Sequence, residues 1–187
     1  MKELITISKL KSIFQSKNYK WDAKFNMIGI RTNDKTPDIF NDWMVCVVED
    51  KIIGIWEWTT DAGLYWLKNP ARIEGVFNLN EGQYIDSWVI GIHKTYEAFV
   101  QYKTLHGTRD SNKDSIVDHT GKIYTDAQGV NIHRGHETWL SKNASYLLKI
   151  IKIDKYSMGC QVSAFADNLV ILLQYGKASG KKYFTYT

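Results

Sequence analysis

Two cysteines in 187 residues are too few to build a disulfide framework, so the chain has to hold its shape through an apolar core. A chain of this length can bury one without cross-links, and it fits one domain over 1–187 with residues 1–20 as an N-terminal helical segment. Proline is scarce, two against thirteen glycines, while 13% of the residues are aromatic. Few prolines and many β-favouring rings point to sheet rather than a helical bundle. No apolar run approaches the roughly 18 residues of a membrane-spanning helix. The opening Met1-Lys2-Glu3-Leu4-Ile5 meets an acid at once and lacks the apolar stretch of a secretory leader. The expectation is a protein made in the cytoplasm, without membrane contact, that reaches any outside substrate only after release. A dominant charge is missing as well. The 24 basic and 20 acidic residues leave +4, scattered rather than gathered on a stripe, so no nucleic-acid partner is expected. The small excess would still draw the protein toward anionic wall polymers, and a monomer is expected.

What is present reads as a mostly β domain, sandwich or barrel, with two helices. Thr6 can cap a helix over 6–18 whose Ile7, Leu10, Ile13 and Phe14 share a face. Phe25 to Arg31 is a short strand. Trp43 to Val48 and Ile52 to Thr59 flank Glu49-Asp50-Lys51 as a hairpin. Asp61-Ala62-Gly63 and Lys68-Asn69-Pro70 bound a loop that carries Tyr65 and Trp66. Further strands are predicted at Gly75 to Leu79, Ser87 to Ile92, Ala98 to Thr104, Tyr124 to His133, Leu147 to Ile153 and Tyr183 to Tyr186, with a polar loop over 106–122. Asp167 can cap a second helix whose Leu169, Val170, Leu172 and Leu173 face the core, ending near Gly176.

The two thiols have different surroundings. Cys46 lies within Trp43-Met44-Val45-Cys46-Val47-Val48, the setting of a buried, inert thiol. Cys160 follows glycine in Ser157-Met158-Gly159-Cys160, where the backbone can take positive φ and its N–H groups can face a developing oxyanion. A cysteine acts as the thiolate, so it needs a base or a positive neighbour. His133 suits that task. In Gly129-Val130-Asn131-Ile132-His133-Arg134-Gly135, strand alternation puts Asn131 and His133 on one face and Val130 and Ile132 in the core. His133 would take the thiol proton and return it to a leaving amine, while Arg134 adds positive potential or holds a carboxylate. Five histidines and two cysteines allow many pairings, so composition alone does not select this one.

Asn131-Ile132-His133-Arg134-Gly135 followed by Ser157-Met158-Gly159-Cys160 resembles the signature of L,D-transpeptidase (YkuD-like) domains, and most closely a phage and prophage group. The likeness extends to Ile28-Gly29-Ile30-Arg31, the stretch from Thr59 to Pro70, Gly91-Ile92-His93, Gly159-Cys160-Gln161-Val162 and Phe184-Thr185-Tyr186. The resemblance implies Cys160 as nucleophile, His133 as base, the Gly159 and Cys160 amides as oxyanion donors, and Ser157 as shaper of the turn. It implies a thioester on peptidoglycan stem peptide, resolved by water or an amine, with no cofactor. Two departures stand out. His133 and Cys160 are 27 residues apart, longer than the family spacing, which implies an inserted hairpin or lid that includes Leu147 to Ile151. Val162 also stands where the family often has Arg or Asn, so Arg134 or Arg31 would have to hold the substrate carboxylate. His93 is a candidate for orienting the site, and Tyr65 and Trp66 for lining a groove.

Two metal readings compete. Asp110, Asn112, Asp114 and Asp118 have the alternating spacing of a calcium loop, but Ser115 and Gly121 replace its glycine and closing glutamate, so a solvated loop is favoured. His133, His136 and Glu137, with His93, His106 or His119, would offer zinc ligands, yet their order is not that of a helical zinc motif. The expected function is a cysteine-dependent peptidoglycan hydrolase of endolysin type. The alternatives are a catalytically silent wall-binding or virion module, or a zinc peptidase.

Overall fold

The computed structural model describes residues 4–135 and 149–187. The chain begins with α1 (Ile7–Ser16), where Thr6 Oγ1 accepts the Lys9 N–H at 3.3 Å as the cap predicts. Leu10 and Phe14 bury, each burial contributing about 2 kcal/mol. Ile13 does not: it stays 50% exposed. β1 (Phe25–Ile30) then pairs antiparallel with β2 (Asp42–Val48), which turns through Glu49 and Asp50 into β3 (Lys51–Thr59). Both turn residues sit at positive φ, +47° and +61°, the backbone that matches strand twist in a two-residue hairpin.

The expected loop around Tyr65 and Trp66 is instead a single helical turn, α2 (Leu64–Lys68). Gly63 caps it, with its carbonyl taking the Trp66 and Leu67 N–H groups, and Leu67 anchors it in a small cluster with Ala62, Val76 and Val117. β4 (Val76–Leu79), β5 (Tyr84–His93) and β6 (Tyr96–Gln101) fall near their predicted places. The polar segment after them is not all loop. Its start is β7 (Leu105–Asp110), which pairs with β4 and with β8 (Tyr124–Ala127) in a separate three-stranded sheet. That strand is held by its neighbours more than by its own composition: Gly107 lies so close to β4 that a Cβ there would meet the Asn78 carbonyl at 2.1 Å.

The single strand predicted to end at His133 is two, because the chain leaves the small sheet after Ala127 and enters the barrel as β9 (Ile132–Arg134). Of the strand predicted over 147–153, residues 147 and 148 lie outside the described ones. Residues 149–153 hold only one bridge, Lys149 to Phe165. β10 (Gln161–Ser163), not foreseen, separates Cys160 from α3 (Ala166–Ala178). Asp167 sits in the first turn of α3, not at its cap, which is Phe165. Leu169, Leu172 and Leu173 bury while Val170 is 37% exposed. The chain closes with β11 (Phe184–Tyr186).

Eight strands close a barrel in the order β1-β11-β5-β6-β9-β10-β3-β2. Among the described residues the architecture is thus β-rich with three short helices, a barrel beside a small sheet. Met44, Trp58, Trp88, Phe99, Ile132, Phe184 and Tyr186 fill its interior, and α3 covers β6, β9 and β10. Closure leaves few free sheet edges, and the two parallel pairings, β1 with β11 and β9 with β10, bring segments far apart in sequence side by side.

A candidate cysteine site beside the barrel wall

The β9–β10 pairing builds the site. In register, Ile132 faces Gln161 and His133 faces Val162, so Cys160 arrives beside Asn131. Its sulfur accepts the Asn131 N–H at 3.4 Å and donates to the Gly129 carbonyl at 3.3 Å. Those backbone groups are themselves fixed. Gln101 accepts the Val130 N–H at 2.8 Å and donates to the Ala127 carbonyl at 2.6 Å, and Trp88 Nε1 donates to the Val130 carbonyl at 2.9 Å. As predicted, Val130 and Ile132 enter the core.

The turn before Cys160 is shaped by Ser157, which donates to the Cys160 carbonyl at 2.8 Å and accepts the Gly159 N–H at 3.2 Å. This corrects the expected oxyanion pair: the Gly159 amide is already engaged. The Cys160 N–H donates to no described residue. Gly159 has φ +105°, and a Cβ there would lie 2.4 Å from the Phe77 carbonyl oxygen. Gly159→Ala should therefore cost about 2–4 kcal/mol from backbone strain and overpacking, read as a lowered urea midpoint. An unchanged midpoint would mean that the turn is not held as described.

His133 does not project into an open cleft; it is only 4% exposed. Its Nδ1 lies 2.7 Å from the Arg134 carbonyl, which can only accept, so the proton sits on Nδ1 and Nε2 keeps its lone pair. Burial pushes the imidazole down to about 3 and the Cys160 thiol up to about 11. Each group is therefore neutral at rest. His93 stacks on His133 with ring centroids 4.5 Å apart. Asn131 orients it: its Oδ1 accepts the Gln101 N–H at 2.9 Å, which turns its Nδ2 to His93 Nδ1 at 3.0 Å and leaves the His93 proton on Nε2.

Two contributors escaped the sequence reading. Tyr96 donates to the Arg134 carbonyl at 2.9 Å, lies 3.4 Å from His133 Nδ1, and feels the charge of a Cys160 thiolate. The charge of Lys94, in the turn after His93, adds a smaller lowering to the thiol and to both imidazoles. The tight turn after His93, which sets His93 opposite Tyr96, is the one sequence signal that could have placed them.

The two expected carboxylate holders differ in setting. Arg134 is buried, with its guanidinium 4.4 Å over the Tyr96 ring. Arg31 lies elsewhere, bonded to Thr60 and the Leu79 carbonyl and 3.3 Å from Asp61. Trp66 does not line a groove by its polar edge; its Nε1 donates to the Lys155 carbonyl at 3.1 Å and ties α2 to the segment leading into the Cys160 turn. The calcium reading is not supported by the loop. Asn112 spends its amide on the Asp114 and Asp118 carboxylates, and Asp110 accepts the Asp118 N–H. His106 packs on Tyr84 and His119 on Asp61, apart from His93 and His133. Among the described residues no three His, Cys, Asp or Glu side chains gather to hold a metal; His136 and Glu137 lie outside them. No helix among the described residues is long and apolar enough to cross a membrane. The chain matches no family model, no curated protein and no solved structure.

Proposed function

We propose that the protein is a cysteine acyl-transfer enzyme of L,D-transpeptidase-like type, acting on peptidoglycan stem peptides and lytic in use. The observation that carries this reading is the tautomer of His133. With Nδ1–H committed to a backbone carbonyl, the basic nitrogen left on His133 is Nε2, and β-pairing sets that residue opposite Val162, two residues past Cys160. A base so arranged can take the thiol proton as sulfur attacks a peptide carbonyl. The C–N bond then breaks as the imidazolium returns that proton to the leaving amine, giving a thioester that water resolves. The Cys160 N–H and the Lys94 charge stabilise negative charge as it develops. The endolysin assignment rests on the resemblance of the Ser157–Cys160 turn and its flanking motifs.

Incubation of the purified protein with bacterial sacculi, with and without EDTA, tests the reading. Release of new muropeptides unaffected by EDTA supports it. EDTA sensitivity would favour a metallopeptidase, and no release under any condition would leave a wall-binding module. Alkylation gives a second check. Cys46 is fully buried, its thiol pushed up to about 12, whereas Cys160 keeps partial solvent contact. Iodoacetamide should label Cys160 alone in the folded protein. Because its thiol is protonated at rest, the rate should climb about tenfold per pH unit from 7 to 10, not level off near neutrality. Mass mapping after timed quenching reads both outcomes.

A further inference from the structure

A cavity of about 890 Å³ opens between α1, the end of β1 and the 79–84 and 119–123 segments. Cys160 does not line it, although its neighbour Gln161 does. The two side chains part at the wall: the sulfur meets Gly129 and Asn131, while the Gln161 amide accepts from the Tyr186 hydroxyl at 3.0 Å. The cavity is therefore separate from the cysteine site.

Its walls are asymmetric. One side is apolar, formed by Leu10, Phe14, Ile28, Ile30 and Leu79, with Ile13 at the rim. The exposure of Ile13, which helical periodicity placed on the buried face, follows from its lying over this opening. The far end is cationic. Arg31, Lys35 and His119 line it, and the charges of Arg31 and Lys35 are both felt at His119. Arg31 is held rigidly by Thr60 and Leu79, which still leaves one hydrogen on each terminal nitrogen free of them. The single carboxylate side chain of the lining, Glu81, is paired with Lys17. Asp61 stands behind Arg31 and the neutral His119, 6% exposed, with Oδ1 3.3 Å from both Arg31 Nε and His119 Nε2. Burial pushes its carboxyl up to about 7, so at neutral pH it only partly cancels Arg31. Barrel mouths are a common seat for small ligands, and a pocket with an apolar body and one charged end selects for a molecule of the same build.

We propose that this cavity is a second ligand site, independent of Cys160, for a small amphipathic carboxylate whose apolar chain lies along α1 and β1 and whose head meets Arg31, Lys35 and His119.

Calorimetric titration with decanoate tests it, using decyltrimethylammonium as the same chain with opposite charge. Decanoate should bind one to one, at least tenfold tighter than the ammonium. Lys35→Glu and Ile13→Glu, both at exposed positions that leave the fold intact by circular dichroism, should each weaken decanoate at least fivefold. Cys160→Ala should bind as the wild type does, which keeps this result apart from any outcome on sacculi. Equal affinity for the two amphiphiles, no saturable heat, or unchanged binding in both Glu variants would overturn the proposal.

Discussion

Cys160→Ala is expected to lower muropeptide release by at least about 10³-fold while leaving the urea midpoint within about 1 kcal/mol of the wild type. The size follows from the chemistry. Without sulfur no thioester forms, and what remains is the contribution of substrate binding and the oxyanion amide, which in enzymes of this kind leaves only a small residue of the rate. The small stability change follows from the packing. Cys160 is not a core residue; its sulfur makes two long hydrogen bonds, to Asn131 N–H and Gly129 carbonyl, and the turn is held by Ser157 and Gly159 instead. Cys160→Ser is the more telling companion. A hydroxyl keeps both hydrogen bonds but is a far weaker nucleophile beside a neutral imidazole, so it should be nearly as inactive. Cys46→Ala, by contrast, should keep activity and lose stability, since that side chain is fully buried in the barrel core. Full activity in Cys160→Ala would remove the cysteine mechanism outright.

The parts of this site that were legible in the sequence are those whose chemistry is local. Ser157, Gly159 and Cys160 form a four-residue turn, so their spacing alone announces it, and the alternation of Val130 to His133 gives the facing of a strand wherever the strand lies. The turn after His93 places Tyr96 opposite His93, but the meeting of Tyr96 with His133 was not legible: β6 must lie beside β9, and nothing in either segment states that. Arg31 shows the converse error. As a bare cation it could serve the cysteine site, but its partners Thr60, Asp61 and Leu79 come from two other segments and hold it at the separate cavity instead. The fold divides in the same way. α1, the β2–β3 hairpin and α3 follow from periodicity and turn chemistry. β7 and β10 do not, because a polar strand is stabilised by the ladders on either side and by burial supplied from elsewhere. Ile13 fits neither group: its spacing is that of a core residue, and the space it faces is a cavity.

His133→Gln should lower kcat/KM by about 10²–10⁴-fold with little change in KM, the signature of a lost general base and intact substrate binding. The pH dependence separates this base from the usual charged pair. With the thiol at about 11 and the imidazole at about 3, the neutral pair persists across the range where most enzymes are assayed. The wild-type kcat/KM should thus be nearly flat from pH 5 to 9. A preformed thiolate–imidazolium pair would give a bell with limbs inside that window, and such a bell would refute the neutral assignment. Stability supplies an independent reading of the same group. The folded-state value of His133 lies below its ordinary 6.5, so the unfolded chain binds more protons in acid. Its contribution is complete above about 6.5 and drains away as pH falls toward the folded value. His119, lowered to about 4, acts in the same direction, whereas Asp61, raised to about 7, opposes them by favouring the folded state in acid and losing that contribution as pH rises through 7. His133→Gln removes one histidine from this balance, while His93, stacked on it and lowered by burial in the same direction, remains. The stability lost by the variant between pH 7 and 4.5, from urea curves, should therefore be smaller than that lost by the wild type. Equal losses would mean that the ring is not buried neutral, and the base would have to be sought in its stacking partner, His93.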